Sequence, residues 1–259
     1  MDLGLAGRTA IVCASSRGLG RACAQRLAEA GCTVVINGRD RERLTVTAVE
    51  IAESTEAAVI PVVADVATAE GQAALLEACP NPDILVNNNA GPPFRDFREL
   101  DREAMIAGVV ANMVSAIELT QKVIDGMRAR RFGRIVNITS GSVKMPLAGL
   151  DLSSGARAGL TAFMAGVARS VAADGVTINA LLPGVFATDR LQAMFSTIAA
   201  KRGVPVDQVE AERVATVPAR RLGDPQEFGA ACAFLCSAHA GYITGQNLLI
   251  DGGAFPGAF

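Results

Sequence analysis

The stretch Thr9-Ala10-Ile11-Val12-Cys13-Ala14-Ser15-Ser16-Arg17-Gly18-Leu19-Gly20 joins a β-branched apolar run to a turn closed by two glycines. Residues 21–30 then carry helical character, Gly31 ends that helix, and Thr33-Val34-Val35-Ile36 reads as a second strand. Strand, glycine turn, helix and strand fall within about 30 residues, the context a dinucleotide fingerprint requires. Glycines let the backbone approach a ligand closely, and a helix N-terminus offers free N–H groups and the positive end of its dipole. The turn is therefore expected to cradle a pyrophosphate through Ser15, Ser16, Arg17, Gly18, Leu19 and Gly20.

The same alternation continues outward. Helical stretches at 41–54, 69–78, 101–131 and 155–173 separate the short runs Val59-Ile60-Pro61-Val62-Val63, Ile84-Leu85-Val86, Arg134-Ile135-Val136-Asn137-Ile138, Val176-Thr177-Ile178-Asn179-Ala180-Leu181 and Gln246-Asn247-Leu248-Leu249-Ile250. These runs are continuously apolar rather than alternating, as strands covered on both faces must be. The fold class is therefore α/β: one Rossmann-type, doubly wound parallel sheet of about seven strands with helices on both faces, spanning 1–259 as a single domain. The segment 190–218 lacks strand character and is expected to form a small helical substrate lid.

Composition narrows the function. The 259 residues carry 24 Lys and Arg against 26 Asp and Glu, a formal net charge of −2, with no basic block, which argues against a nucleic-acid or membrane surface. The one histidine, His239, argues against a His-based metal site, and no metal is expected. Six scattered cysteines without a CxxC pair read as buried, reduced thiols. The N-terminus lacks a basic region ahead of an apolar stretch, and no window approaches the roughly 18 apolar residues of a spanning helix, so a soluble cytoplasmic protein is expected.

The glycine turn, Asn88-Asn89-Ala90-Gly91 after the fourth strand, Pro183-Gly184 with Thr188, Tyr242-Ile243-Thr244-Gly245-Gln246 and Asp251-Gly252-Gly253 occur in the order and spacing of one family. Over nearly its whole length the chain resembles the short-chain dehydrogenase/reductases, and within them the 3-oxoacyl-[acyl-carrier-protein] reductase branch. The resemblance implies nicotinamide-linked hydride transfer and places Asp65 and Val66 near the adenine, Asn89, Ala90 and Gly91 along the cofactor, and Pro183, Gly184 and Thr188 near the nicotinamide. It also implies a homodimer or homotetramer built on the helices carrying Asn112 and Arg157 and on the C-terminal segment. The apolar ending Ala254-Phe255-Pro256-Gly257-Ala258-Phe259 suits burial against a neighbour or against its own subunit.

Cofactor choice is legible at the end of the second strand, where a carboxylate suits the ribose of NAD and an arginine a 2′-phosphate. Asn37-Gly38-Arg39 offers no carboxylate there, and Arg17 adds a second guanidinium, which favours NADP(H) over NAD(H). Asp40 is positioned to neutralise Arg39 in part, and Ala14 stands where the family has the first glycine of the turn.

The proton-transfer positions depart from the family. Its serine falls at Ser140 and its catalytic Asn at Asn112 on the long helix, but the Tyr expected thirteen residues after the serine is Ser153, and the Lys four beyond is Arg157. A serine hydroxyl is a far weaker acid than a phenol, and a guanidinium is no tunable acid or base. Arg157 keeps a cation able to reach the nicotinamide ribose, while Lys144 and Asp151, in the loop between Ser140 and Ser153, are the candidate replacements for the missing acid. The only tyrosine, Tyr242, lies outside this register. Three readings follow: an NADPH-dependent reductase of a carbonyl or imine with an atypical site, an impaired NADPH-binding sensor or partner subunit, and a non-redox enzyme on the same scaffold.

Overall fold

The computed structural model describes residues 2–92 and 94–258. Its strands are β1 (Thr9–Val12), β2 (Thr33–Gly38), β3 (Val59–Val63), β4 (Ile84–Asn87), β5 (Gly133–Ile138), β6 (Val176–Pro183) and β7 (Asn247–Ile250). All pair in parallel in the order β3-β2-β1-β4-β5-β6-β7. Chain order reverses direction between β1 and β4, where Val12 stands beside Val86. That switch point opens a crevice at the C-terminal strand ends, the place where such sheets bind ligands.

Nine α-helices cover the sheet among the described residues: α1 (Gly18–Glu29), α2 (Arg41–Thr55), α3 (Ala69–Ala78), α4 (Arg102–Val109), α5 (Ser115–Ala129), α6 (Asp151–Val171), α7 (Asp189–Arg202), α8 (Val206–Ala215) and α9 (Pro225–Cys236). One face packs Val12, Ile36 and Ile84 under Leu27, Leu44 and Phe228 of α1, α2 and α9. The other packs Ile11, Leu85, Ile135 and Ile178 under Leu75, Leu119, Val123 and Met164 of α3, α5 and α6. The central strands are buried on both faces, as their unbroken apolar runs require, whereas the edge strands β3 and β7 stay partly exposed.

Three boundaries differ from expectation. The first helix begins at Gly18 rather than residue 21, so the glycine turn feeds straight into its first N–H groups. The sixth begins at Asp151, which places Asp151 on a helix rather than in the loop between Ser140 and Ser153. The stretch expected at 101–131 is interrupted by a π-turn, Val110–Val114, that carries Asn112. Contrary to expectation, the continuous stretch Arg102–Ala129 is long and apolar enough to cross a membrane by length and composition. Leu119, Val123 and Met127 of this stretch are buried against the sheet, while Met105 and Ile106 are exposed.

α7 and α8 form the segment after β6 and enclose a small core of their own, with Leu191, Phe195, Ala199 and Val209. The six cysteines are free and buried. Of the C-terminal apolar ending, Phe259 lies outside the described residues, as does Met1 at the other end.

Candidate active site

Two rims face each other across the crevice. In the first, the turn after β1 is held by a polar net. Ser15 donates through its hydroxyl to the Val12 carbonyl at 2.7 Å and accepts from the Asn37 N–H at 2.9 Å. Asn37 accepts from the Ala14 N–H at 3.2 Å and donates to the Val62 and Ala64 carbonyls. Asn88 donates to the Ala14 carbonyl at 3.1 Å. Ser15 therefore holds the turn with its side chain and turns that group away from the crevice.

Ala14 occupies the left-handed region at φ +46°, the backbone that a glycine there would adopt without strain. A side chain on Gly20 would meet the Ala14 carbonyl and, at 2.9 Å, the Asn88 amide. α1 starts with Arg17 at its N-cap, and among the described residues no side chain caps it and no acid lies in its first turn. By contrast Asp40, Thr68, Thr188 and Asp224 cap α2, α3, α7 and α9. The open end of α1 is thus free to hold an anion.

At the end of β2 on this rim, Arg39 is exposed and its Nη1 lies 3.6 Å from Asp65 Oδ2. The carboxylate beside Arg39 is Asp65 and not the expected Asp40, whose side chain accepts from the Arg43 N–H to cap α2. Asp65 also accepts from the Ala67 N–H, and Val66 next to it is buried in the core.

The second rim brings together the ends of β4, β5 and β6. Ser140 follows β5 and caps a short 3₁₀ turn, its Oγ accepting from the Ser142 N–H at 3.1 Å. Ser153 and Arg157 lie one turn apart on α6, and both are buried. Arg157 donates from Nε to Ser153 Oγ at 3.2 Å and from Nη1 to the Ile138 and Thr139 carbonyls at 2.8 and 3.0 Å. It thereby clamps α6 to the strand end that carries Ser140. Its Nη2 keeps no protein partner among the described residues and turns toward Gly91.

A side chain on Gly91 would begin 3.4 Å from Arg157 Nη2 and 3.0 Å from both terminal nitrogens of Arg190, in the first turn of α7. Arg190 donates to the Pro92 carbonyl at 3.4 Å. Burial, with the Arg190 charge second, pushes the Arg157 guanidinium down to about 10. Burial and then Arg17 lower Arg190 in turn. The π-turn supplies Asn112, whose Nδ2 donates to the Gly108 carbonyl while its Oδ1 is buried without a partner. Asn87 Oδ1 is also unpaired, and both asparagines line one small cavity with Asn89 and Arg157. Two unpaired acceptors around one polar cavity suit a bridging water.

Lys144 Nζ lies 5.6 Å above the Phe255 ring, and Asp151 is exposed, accepting from the Gly149 N–H at the start of α6. Tyr242 is fully exposed in the turn ahead of β7.

Residues 13–254 match the model of the family described as enoyl-(acyl carrier protein) reductase. The NADPH-dependent reductase BacG of Bacillus subtilis is 31% identical over 252 residues, covering 95% of this chain and 97% of that protein. The chain belongs to the short-chain dehydrogenase/reductase family. The 3-oxoacyl-[acyl-carrier-protein] reductase FabG of Vibrio cholerae is 32% identical over 257 residues, covering 98% of this chain and 99% of that one. The structure of L-sorbose reductase from Gluconobacter frateurii, complexed with NADPH and L-sorbose, superposes with a TM-score of 0.95 at 28% identity, covering 99% of this chain and all of that one.

The geometry fits the nicotinamide dinucleotide this family implies. The uncapped α1 end and Gly18 (φ +58°) face Thr188, whose Cγ2 lies 3.7 Å from where a side chain on Gly18 would begin, so the two rims can grip one extended ligand. Ser16, Leu19, Ala90 and Pro183-Gly184 sit on the segments that form those rims, with Gly184 bonded to the end of β7. Sequence reasoning missed Arg190. The signal was present as a base two residues after Thr188 in the first turn of a helix, where a cation opposes the helix dipole and needs an external reason.

Proposed function

We propose that this chain is an NADPH-dependent reductase that delivers hydride to a carbonyl or imine carbon, with Ser140, Ser153 and Arg157 in place of the family's Ser, Tyr and Lys. The observation that carries this reading is the Arg157 clamp: one buried side chain orients Ser153 and fixes the strand end bearing Ser140. NADPH, when bound, supplies the hydride. The relatives named as NADPH-dependent or solved with NADPH support the cofactor, and Arg17 and Arg39, with no carboxylate at the end of β2, support its 2′-phosphate form.

The chain's own groups divide the remaining work. The Ser153 hydroxyl accepts from the guanidinium, so its proton is left to donate toward the reacting oxygen, as is that of Ser140. Arg157 places a fixed positive charge where negative charge develops during hydride transfer. Asn112 and Asn89 shape the polar cavity behind it. Lys144 and Asp151 remain secondary candidates for the proton. Without a phenol, simple ketones are expected to turn over about 10²–10⁴-fold more slowly than with a positioned acid.

A second reading, a cofactor-binding sensor or partner subunit, is favoured by one observation: three of Arg157's five N–H donors are used within the protein. Oxidation of NADPH against NADH over a carbonyl and imine panel, with calorimetry of cofactor binding, separates the two. Turnover with NADPH supports the reductase, and tight NADPH binding without turnover supports the sensor. The double variant Ser153→Tyr with Arg157→Lys is expected to raise ketone turnover about 10²-fold.

The buried free cysteines support a reducing, cytoplasmic setting. Exposed Met105 and Ile106 on α4 and Phe163 on α6 support the proposed homodimer or homotetramer.

A further inference from the structure

Three guanidinium groups follow one another along the crevice. Arg157 and Arg190 both stand against Gly91, where a side chain would begin 3.4 Å from the one and 3.0 Å from the other. Arg190 is the like charge that bears on Arg157, and Arg17, at the start of α1, is the like charge that bears on Arg190. Arg190 is thus the middle member, two residues after the Thr188 that faces Gly18. Among the described residues no carboxylate pairs with any of the three; Asp189, next to Arg190 in sequence, instead pairs with Arg43 at 3.4 Å. Like charges gathered without a counter-charge are unfavourable, and an anion between them removes that cost.

The opposite end of the same sheet shows how this chain treats arginines that serve only the fold. Arg8 and Arg134 both lie over the Phe132 ring there, 3.8 Å and 4.4 Å from its centre, and Asp83 pairs with Arg8 at 3.3 Å. Among the described residues neither device is present around Gly91.

The anion that fits this place is the cofactor's pyrophosphate. Gly91 lies in the stretch that the family resemblance sets along the cofactor, and the facing pair Gly18 and Thr188 brings the start of α7 opposite the uncapped start of α1. Arg17 and Arg39 serve the 2′-phosphate on the reading above, and Arg157 the nicotinamide ribose, which leaves Arg190 as the uncommitted cation. Its own helix gives no reason for a cation in the first turn, where the dipole opposes it. Arg190 makes one long bond, 3.4 Å to the Pro92 carbonyl, and is exposed, so its fork is free to take phosphate oxygens. Resting on the NADPH reading, we propose that Arg190 binds the cofactor's pyrophosphate from the α7 rim, opposite the open end of α1, so that the cofactor is gripped from both rims and itself supplies the counter-charge that the three arginines lack.

The test is calorimetry of three ligands on the unaltered protein and on Arg190→Leu: NADPH, 2′-phospho-ADP-ribose, which keeps the pyrophosphate but lacks nicotinamide, and adenosine 2′-monophosphate, which lacks both. The variant is expected to bind NADPH and 2′-phospho-ADP-ribose about 10-fold more weakly and adenosine 2′-monophosphate as before. Added salt is expected to weaken NADPH less in the variant than in the unaltered protein, because one ion pair fewer is there to be screened. Arg190→Gln gives the same comparison if the leucine variant does not fold. Unchanged NADPH affinity in the variants overturns the proposal and leaves the cofactor reading standing. A loss shared by adenosine 2′-monophosphate also overturns it, because Arg190 then serves the adenosine end or the fold. So does a loss for NADPH alone, which moves Arg190 to the nicotinamide. An unaltered protein that binds none of the three removes the cofactor reading together with the proposal.

Discussion

Arg134 and Arg157 are two buried arginines near opposite ends of one strand, and each donates three hydrogen bonds to the protein. Arg134 gives all three to carbonyls, of Ser237, Gly133 and Gly175, and stacks on Phe132. Arg157 gives two to carbonyls and one to a hydroxyl, and its Nη2 edge faces Gly91, as Arg190 does. Burial lowers both from the ordinary guanidinium value, but only Arg157 falls as far as about 10. The comparison teaches that burial of a charge does not by itself mark a site. What marks it is the remaining valence: the N-terminal end of the sheet closes its charges with a ring and a carboxylate, and among the described residues the C-terminal end leaves them open.

The largest effect expected from breaking this contrast is at the closed end. Arg134→Met removes three hydrogen bonds to carbonyls, two of them buried, and should lower stability by about 3 kcal/mol. In a domain of this size that is a fall in Tm of roughly 5–10 °C by calorimetry, with NADPH affinity of the folded protein unchanged. If Arg134→Met changed cofactor affinity while sparing stability, the division of the two ends would be wrong. A smaller effect sharpens the open end. Ala14→Gly relieves the left-handed strain at φ +46° but frees the unfolded chain, so a net gain of about 0.5 kcal/mol is expected, with somewhat tighter NADPH binding by calorimetry.

The fold was legible because a parallel sheet buried on both faces leaves unbroken apolar runs, and because Gly18 and Gly20 satisfy a demand that few other residues meet. Legibility failed where side chains meet from distant parts of the chain. Arg190 reaches the Pro92 carbonyl across 98 positions, and no local spacing announces that contact. The Asp40 expectation erred for a local reason: an Asp directly ahead of a helix caps it, which removes that carboxylate from Arg39 and leaves Asp65 beside it. The π-turn around Asn112 carries no signature in Val110-Ala111-Asn112-Met113-Val114, and it lies where the chain passes from α4, packed on α6, to α5, packed on the sheet. Ser153 and Arg157, by contrast, were placed by register alone, and the hydrogen bond between them is what a one-turn separation on a helix permits.

The open valence of Arg157 is the central claim, and its own titration tests it most directly. The folded chain binds this proton less tightly than the unfolded chain does. The site therefore weakens the fold at neutral pH, and the penalty lifts as pH rises through about 10 toward the ordinary guanidinium value. Removing the Arg190 charge weakens that shift, because a like charge nearby disfavours the charged form. The measurement is a carbon-13 NMR titration of the Arg157 guanidinium in the ligand-free protein and in its Arg190→Leu variant. The predicted result is a midpoint near pH 10 in the protein that rises in the variant. A midpoint at the ordinary guanidinium value in the unaltered protein would contradict the account.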